Sequence, residues 1–169
     1  MHLTVELTYP ASVDDVATML ADESFVRWRA ERSTRGGRVE QADVTGSPDA
    51  GFTVAVRRTL PTDQIPTQVR AFVGSELEVR QAEAWEAPSG GRRVGTIAVE
   101  IAGAPVRLTG TVRLEPLPDG GARQIYDGDV RASVPLFGAV VAEAAAGAVR
   151  STLEAEGRAA RQWLEGSDR

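Results

Sequence analysis

Arg58, Gln81, Trp85, Tyr126 and Glu156 are the side chains of this 169-residue sequence whose types and spacing bring polar chemistry to apolar surroundings. Arg58 alternates with Phe52, Val54, Val56 and Leu60, so it shares the inward face of a strand with them. Glu156 falls on the apolar stripe of a helix. A carboxylate taken out of water must be paired or protonated. Two readings follow: a buried pair with Arg58, or a salt bridge at an open sheet rim. An arginine in a pocket suits a ligand carboxylate or enolate, because its planar fork of donors matches both. A bulge that slips the strand by one residue would turn Arg57 inward instead. The Tyr126 hydroxyl can orient a ligand or be satisfied within the core. Gln81 and Trp85 share a face, Trp85 reading as core and Gln81 as a pocket amide or a turn-side residue. With Val141, Ala145, Ala148 and Thr152 from the same helical stripe, these five are the candidate ligand-binding residues. Small side chains there either allow close packing or leave a cavity.

Other chemistries have little to work with. There is no cysteine, a lone histidine at His2, and every one of the 19 basic residues is arginine. Thiolate sites, histidine metal sites and Schiff-base lysines are thereby excluded, and a Ser-His-Asp triad has no histidine in a plausible place. Asp127 and Asp129 share an outer face, with Glu100 nearby; they read as solvated charges or as a weak cation site. No phosphate-binding, nucleophile-elbow or zinc-helix motif occurs. No metal, cofactor or catalytic residue is assigned. A net charge of −5 opposes binding to nucleic acid through its phosphates. No window has the run of about 18 apolar residues of a membrane span. The opening Met1-His2-Leu3-Thr4-Val5-Glu6 lacks the features of a signal peptide, so the expected location is the cytoplasm.

The elements that position these residues follow from period. Leu3, Val5, Leu7 and Tyr9 alternate as a strand that Pro10 ends. Ser12 and Asp15 form a capping box for a short helix, and a second short helix starting near Asp22 carries Phe25 and Trp28, as a lid or as a core plug. Strands are expected over 35–44 (breaking at Gly46-Ser47-Pro48-Asp49), 52–60, 77–85, 97–101, 106–114 and 124–132. The segment 61–74 reads as a loop or short helical excursion. Gly103 and Gly110 read as bends that let a sheet wrap. Short turns between successive strands imply an antiparallel meander. From about Leu136 to Leu164 the chain is rich in helix formers, enough for a helix of about 40 Å. Its polar stripe is Glu143, Arg150, Glu154, Arg158, Arg161 and Glu165; its opposite stripe runs Val141, Ala145, Ala148, Thr152, Glu156, Ala159 and Trp163. One domain is expected over 1–165, with a frayed tail at 166–169.

Strand, two short helices, six strands and a long helix is an order that resembles the START-like superfamily (SRPBCC, birch-pollen-allergen-like). More closely, the chain resembles its mainly actinobacterial domain of unknown function 2505, through Tyr9-Pro10-Ala11, Leu60-Pro61 to Ile65-Pro66, Phe72-Val73-Gly74, Trp85, Gly103-Ala104-Pro105-Val106 with Gly110, and Val134-Pro135-Leu136-Phe137-Gly138. The resemblance implies an α+β helix-grip fold: a curved antiparallel sheet of about seven strands around the C-terminal helix, enclosing a cavity. It implies no reaction. The expected function is a carrier or sensor of a small hydrophobic or amphipathic ligand. One alternative is an aromatase/cyclase-like enzyme in which Arg58 stabilises an enolate while Tyr126 or Glu156 moves protons. Another is a protein-interaction domain with a vestigial pocket.

Overall fold

The computed structural model describes residues 1–64, 67–71 and 75–166. Strand β1 (His2–Tyr9) is followed by α1 (Val13–Leu20) and α2 (Glu23–Ser33), then β2 (Arg38–Ser47) and β3 (Gly51–Pro61). A 3-10 turn over Thr62–Gln64 and the one-turn α3 (Thr67–Arg70) lead to β4 (Glu76–Trp85), β5 (Arg93–Ala102), β6 (Val106–Pro116), β7 (Ala122–Ala132) and α4 (Gly138–Leu164). All seven strands form one curved antiparallel sheet in the order β1-β7-β6-β5-β4-β3-β2. The meander β2 to β7 is thus extended by β1, which pairs with β7, and β1 and β2 are the edges of the sheet. This is the helix-grip architecture. The Ile65-Pro66 and Phe72-Val73-Gly74 matches, and the tail beyond Gly166, lie outside the described residues.

Local chemistry accounts for the short helices. Ser12 Oγ accepts from the Asp15 amide at 3.1 Å, and Asp22 Oδ1 accepts from the Ser24 amide at 2.9 Å, so each helix starts on a satisfied cap. Phe25 is fully buried and Trp28 half-buried; both pack on Trp163 of α4, with ring centroids 5.4 and 5.3 Å away. These aromatics plug the core rather than cover a cavity mouth.

Three boundaries differ from expectation. β2 begins later and runs on through Gly46-Ser47, because Gly46 and Gly51 both hold positive φ and let the pair stay hydrogen-bonded up to the turn. β5 starts at Arg93, four residues early, since its pairing with β6 continues past the alternating Ile97-Val99-Ile101 core. Gly103 sits in the β5–β6 turn at φ 81°, not at a bend within a strand. Gly110 is the site of close approach: it pairs with Gly128, and a Cβ there would stand 2.2 Å from the Asp127 carbonyl oxygen. The bulge near Arg58 lies in β2, between Val39 and Gln41, so β3 keeps its phase: Arg58 points inward and is buried, while the Arg57 side chain is 43 % exposed.

Helix α4 lies within the curve of the sheet. Its most buried residues are Val141, Ala142, Ala146, Leu153, Glu156, Gly157, Ala159 and Ala160. Gly157 allows the closest approach, a Cβ there falling 2.8 Å from Leu7 Cδ2 of β1.

Candidate functional site: an aliphatic cavity beside a buried ionic network

Strand register sorts the inner face of the sheet into two halves. At one end, Leu60 pairs with Leu77, Arg58 with Val79, Val79 with Ile101, Gln81 with Val99, Val99 with Leu108 and Leu108 with Val130. Further along the same strands, Phe52 pairs with Trp85 and Val112 with Tyr126. The second half is filled: the Phe52 and Trp85 rings stack at 6.1 Å, and α1, α2 and the lower part of α4 close over them. The first half is not. Opposite it α4 presents Val141, Ala144, Ala145, Ala148, Val149 and Thr152, mostly small side chains. A cavity of about 600 Å³ remains between helix and sheet.

Six of the nine candidate residues line this cavity: Arg58, Gln81, Val141, Ala145, Ala148 and Thr152. The helical stripe is therefore split. Ala145 and Thr152 are half-buried and Ala148 exposed, because they face the cavity and its opening; Glu156, Gly157 and Ala160, further along, are pressed into protein. Trp85, Tyr126 and Glu156 are not on the cavity wall. They belong to a chain of buried polar groups beneath it: Trp85 and Tyr126 stand on rows of the filled half of the sheet, and Glu156 lies on α4 against Arg29 of α2.

That chain can be followed atom by atom. Arg58 donates from one terminal nitrogen to Ser33 Oγ (3.2 Å) and Thr34 Oγ1 (3.3 Å), and from the other to Gln81 Oε1 (3.2 Å) and Glu156 Oε1 (3.1 Å). The second Glu156 oxygen is 3.8 Å from Arg29 of α2, itself 2 % exposed and seated over the Phe25 ring at 5.3 Å. Gln81 Nε2 points to Glu83 Oε1 at 3.4 Å, and Glu83 also accepts from Tyr126 Oη (3.1 Å) and Trp85 Nε1 (3.1 Å). Gln124 links Tyr126 to Tyr9: Gln124 Nε2 donates to Tyr126 Oη at 2.8 Å and Tyr9 Oη donates to Gln124 Oε1 at 2.5 Å. Two arginines and two glutamates, each no more than 3 % exposed, thus lie together: Glu156 stands between Arg58 and Arg29, and Gln81 links Arg58 to Glu83.

Burial sets the electrostatics. It pushes the Glu83 carboxyl above the usual carboxylate range, against the pull of Arg29 and with the help of Glu156. Burial likewise raises the Tyr126 and Tyr9 hydroxyls far beyond an ordinary phenol, so both remain neutral donors. For Arg29, burial alone would favour loss of the proton, but Glu156 and Glu83 reverse the balance and its pKa is raised.

Sequence reasoning singled out the Arg58–Glu156 pair and missed Arg29, Glu83, Gln124 and Tyr9 as parts of the network. Glu83 and Gln124 carried a signal, since both sit on inward strand parities where a polar side chain needs a partner. Arg29 carried none: it stands among charged neighbours on a helix of weak amphipathicity, and which face is buried depends on where α2 docks. Asp127 and Asp129 face outward beside His2, at 3.2 and 3.4 Å, and Glu100 is taken up by Arg80. Among the described residues no group of His, Cys, Asp and Glu is placed to hold a metal ion, and no helix is long and apolar enough to cross a membrane.

Comparisons place this geometry among known proteins. The uncharacterised protein Rv0481c of Mycobacterium tuberculosis is 28 % identical over 134 residues, covering 77 % of each chain. A START superfamily protein from Mycobacterium smegmatis superposes with a TM-score of 0.54 at 14 % identity, over 98 % of this chain and 97 % of that one. Norcoclaurine synthase from Thalictrum flavum, solved as a point mutant with a transition-state analogue, gives 0.56 at 16 % identity, over 98 % and 95 %. At these identities the likeness is one of fold. The family described as protein of unknown function DUF2505 matches residues 4–164, and the chain belongs to that family.

Proposed function

We propose that this protein is a cytoplasmic carrier or sensor that holds a small hydrophobic or amphipathic molecule between α4 and the sheet. The observation that carries this reading is the cavity of about 600 Å³, lined mostly by Leu, Val, Ile and Ala, with the buried Arg58, Gln81 and Ser33 and the exposed Arg35 and Asp63 among its polar residues. Ligand sites are commonly of this size, mostly apolar, and fixed by a few convergent polar groups. The shared fold with START and norcoclaurine synthase structures supports the reading at the level of architecture. The cyclase alternative draws less support, because Glu156 pairs directly with Arg58 below the cavity and Tyr126 reaches Arg58 only through Glu83 and Gln81, so the three do not converge across the cavity. An enolate there would find Arg58 already held by Glu156.

The test uses the full chain purified from its natural host. Native mass spectrometry and solvent extraction are expected to yield one apolar molecule per chain. Ala148 is exposed on the cavity wall, so Ala148→Trp fills the space without disturbing the core, and this variant should carry none. A wild-type chain that carries nothing, and whose melting temperature no apolar compound raises, would remove the proposal.

A further inference from the structure

Two arginines line the cavity, in opposite electrostatic settings. Arg58 is 3 % exposed, and both its terminal nitrogens are taken: one by Ser33 and Thr34, the other by Gln81 and Glu156. Arg35 is exposed at the rim, and among the described residues no hydrogen bond or ion pair engages it. Its place follows from the two residues before it. The Ser33 and Thr34 hydroxyls donate to the Ala30 carbonyl at 3.3 and 2.7 Å and accept from Arg58. The C-terminal end of α2 is thereby tied to the buried network, and the next residue in the chain is set beside the opening.

The surrounding charges leave this guanidinium unmatched. Arg38, three residues on, pairs with Glu40 and Glu76. Asp63, the one acid among the described residues of the wall, forms no ion pair with Arg35. Arg70 donates to the Asp63 main-chain carbonyl at 2.9 Å, so a further cation stands beside that residue. Deeper in, Glu156 is shared by Arg58 and Arg29, and burial favours the neutral form of Glu83. No buried carboxylate is left over to oppose an anion at the rim.

This arrangement suits a molecule with two unlike ends. A carboxylate at the rim keeps part of its hydration and gains a charge-assisted contact with a guanidinium that has no other partner. The same group further in would have to displace Glu156 from Arg58 and give up its water. An alkyl tail gains by burial against Leu60, Leu77, Val79, Val99 and Ile101.

We infer that the cavity takes an aliphatic carboxylate, with its head on Arg35 at the rim and its tail directed inward. This rests on the cavity being a ligand site, and it moves the expected partner of a ligand carboxylate from Arg58 to Arg35.

The experiment titrates the full chain at pH 8, where the acid is ionised, with decanoate and with decan-1-ol, read by calorimetry and native mass spectrometry. A carboxylate costs more to take out of water than a hydroxyl, so a cavity without a free cation favours the alcohol. The wild type is expected to bind decanoate about three-fold or more tightly than decan-1-ol, the scale of an exposed charge contact. Arg35→Gln should reverse that order, and Ala148→Trp, with its cavity filled, should bind neither. Equal or tighter binding of decan-1-ol by the wild type overturns the inference, as does a preference for decanoate that persists in Arg35→Gln; the ligand-site reading survives both results. If neither compound binds the wild type, the ligand-site reading falls and the head-group assignment with it.

Discussion

Glu156 is the residue on which the most buried charge converges. One of its oxygens takes Arg58 at 3.1 Å and the other faces Arg29 at 3.8 Å, on a side chain 2 % exposed. Removing its charge leaves two arginines in protein with too little to answer them. Glu156→Gln is expected to cost about 3–5 kcal/mol, measured by urea unfolding, because breaking a buried pair from one side strands the other side. Replacing both partners, Arg58→Met with Glu156→Leu, should cost less than the two single changes added together, which a double-mutant cycle reads directly. Glu83 gives a pH signature. Its folded pKa is raised by burial above the value in the unfolded chain, so between the two the folded protein keeps a proton that the unfolded chain has released. Its contribution is therefore fully present below the ordinary carboxylate pKa and is lost as pH rises through the raised one. Stability followed against pH should fall through that window in the wild type, and this part of the slope should vanish in Glu83→Gln. At this scale the sequence was partly legible. Arg58 and Glu156 each stood alone as a charge on an apolar face, and opposite charges on facing apolar surfaces identify each other. Arg29 offered no such contrast.

At the scale of elements, backbone approach matters as much as side-chain pattern. β6 and β7 meet at Gly110 and Gly128, where a Cβ on Gly110 would lie 2.2 Å from a carbonyl oxygen and 2.6 Å from the Gly128 Cα. Neither neighbour is a flexible side chain that could give way. Gly110→Ala should thus destabilise by about 2 kcal/mol or more, through a shifted β6–β7 ladder. Gly147 is the opposite case: it is exposed in the middle of α4, with nothing within 4 Å of its Cβ position. Gly147→Ala should raise stability by about 0.8–1 kcal/mol, the helix-propensity difference, and thermal unfolding of the two variants should move in opposite directions. Strand periods of two and the capping residues made the elements readable in order. Their ends were less so, because β2 and β5 are prolonged by pairing with neighbours after the alternation has stopped.

For the whole molecule, the cavity exists because long inner residues and short helix residues are set out of step. Phe52, Trp85 and Tyr126 fill one end of the cupped sheet; Ala144, Ala145 and Ala148 face the aliphatic end and leave it unfilled. A molecule that occupies this space binds the folded chain alone, so the apparent stability should rise with its concentration by about 2.7 kcal/mol at one hundred times its Kd. A melting temperature that climbs with added ligand in the wild type and stays flat in Ala148→Trp is the expected outcome.

The order of elements, the antiparallel meander and the long closing helix were determined by the sequence alone, since each depends on local period; for Glu156 the sequence left two readings, and the structure chose the buried pair with Arg58 because the bulge lies in β2 and leaves β3 in phase. Which parts of the α4 stripe meet protein and which meet open space was a matter for the tertiary structure. Ala145 and Ala148 belong to the same stripe as Glu156 and Ala159, and nothing along the chain tells them apart. The difference comes from the residues that strand register sets across from them, aromatic at one end and aliphatic at the other, and that register joins positions far apart in sequence.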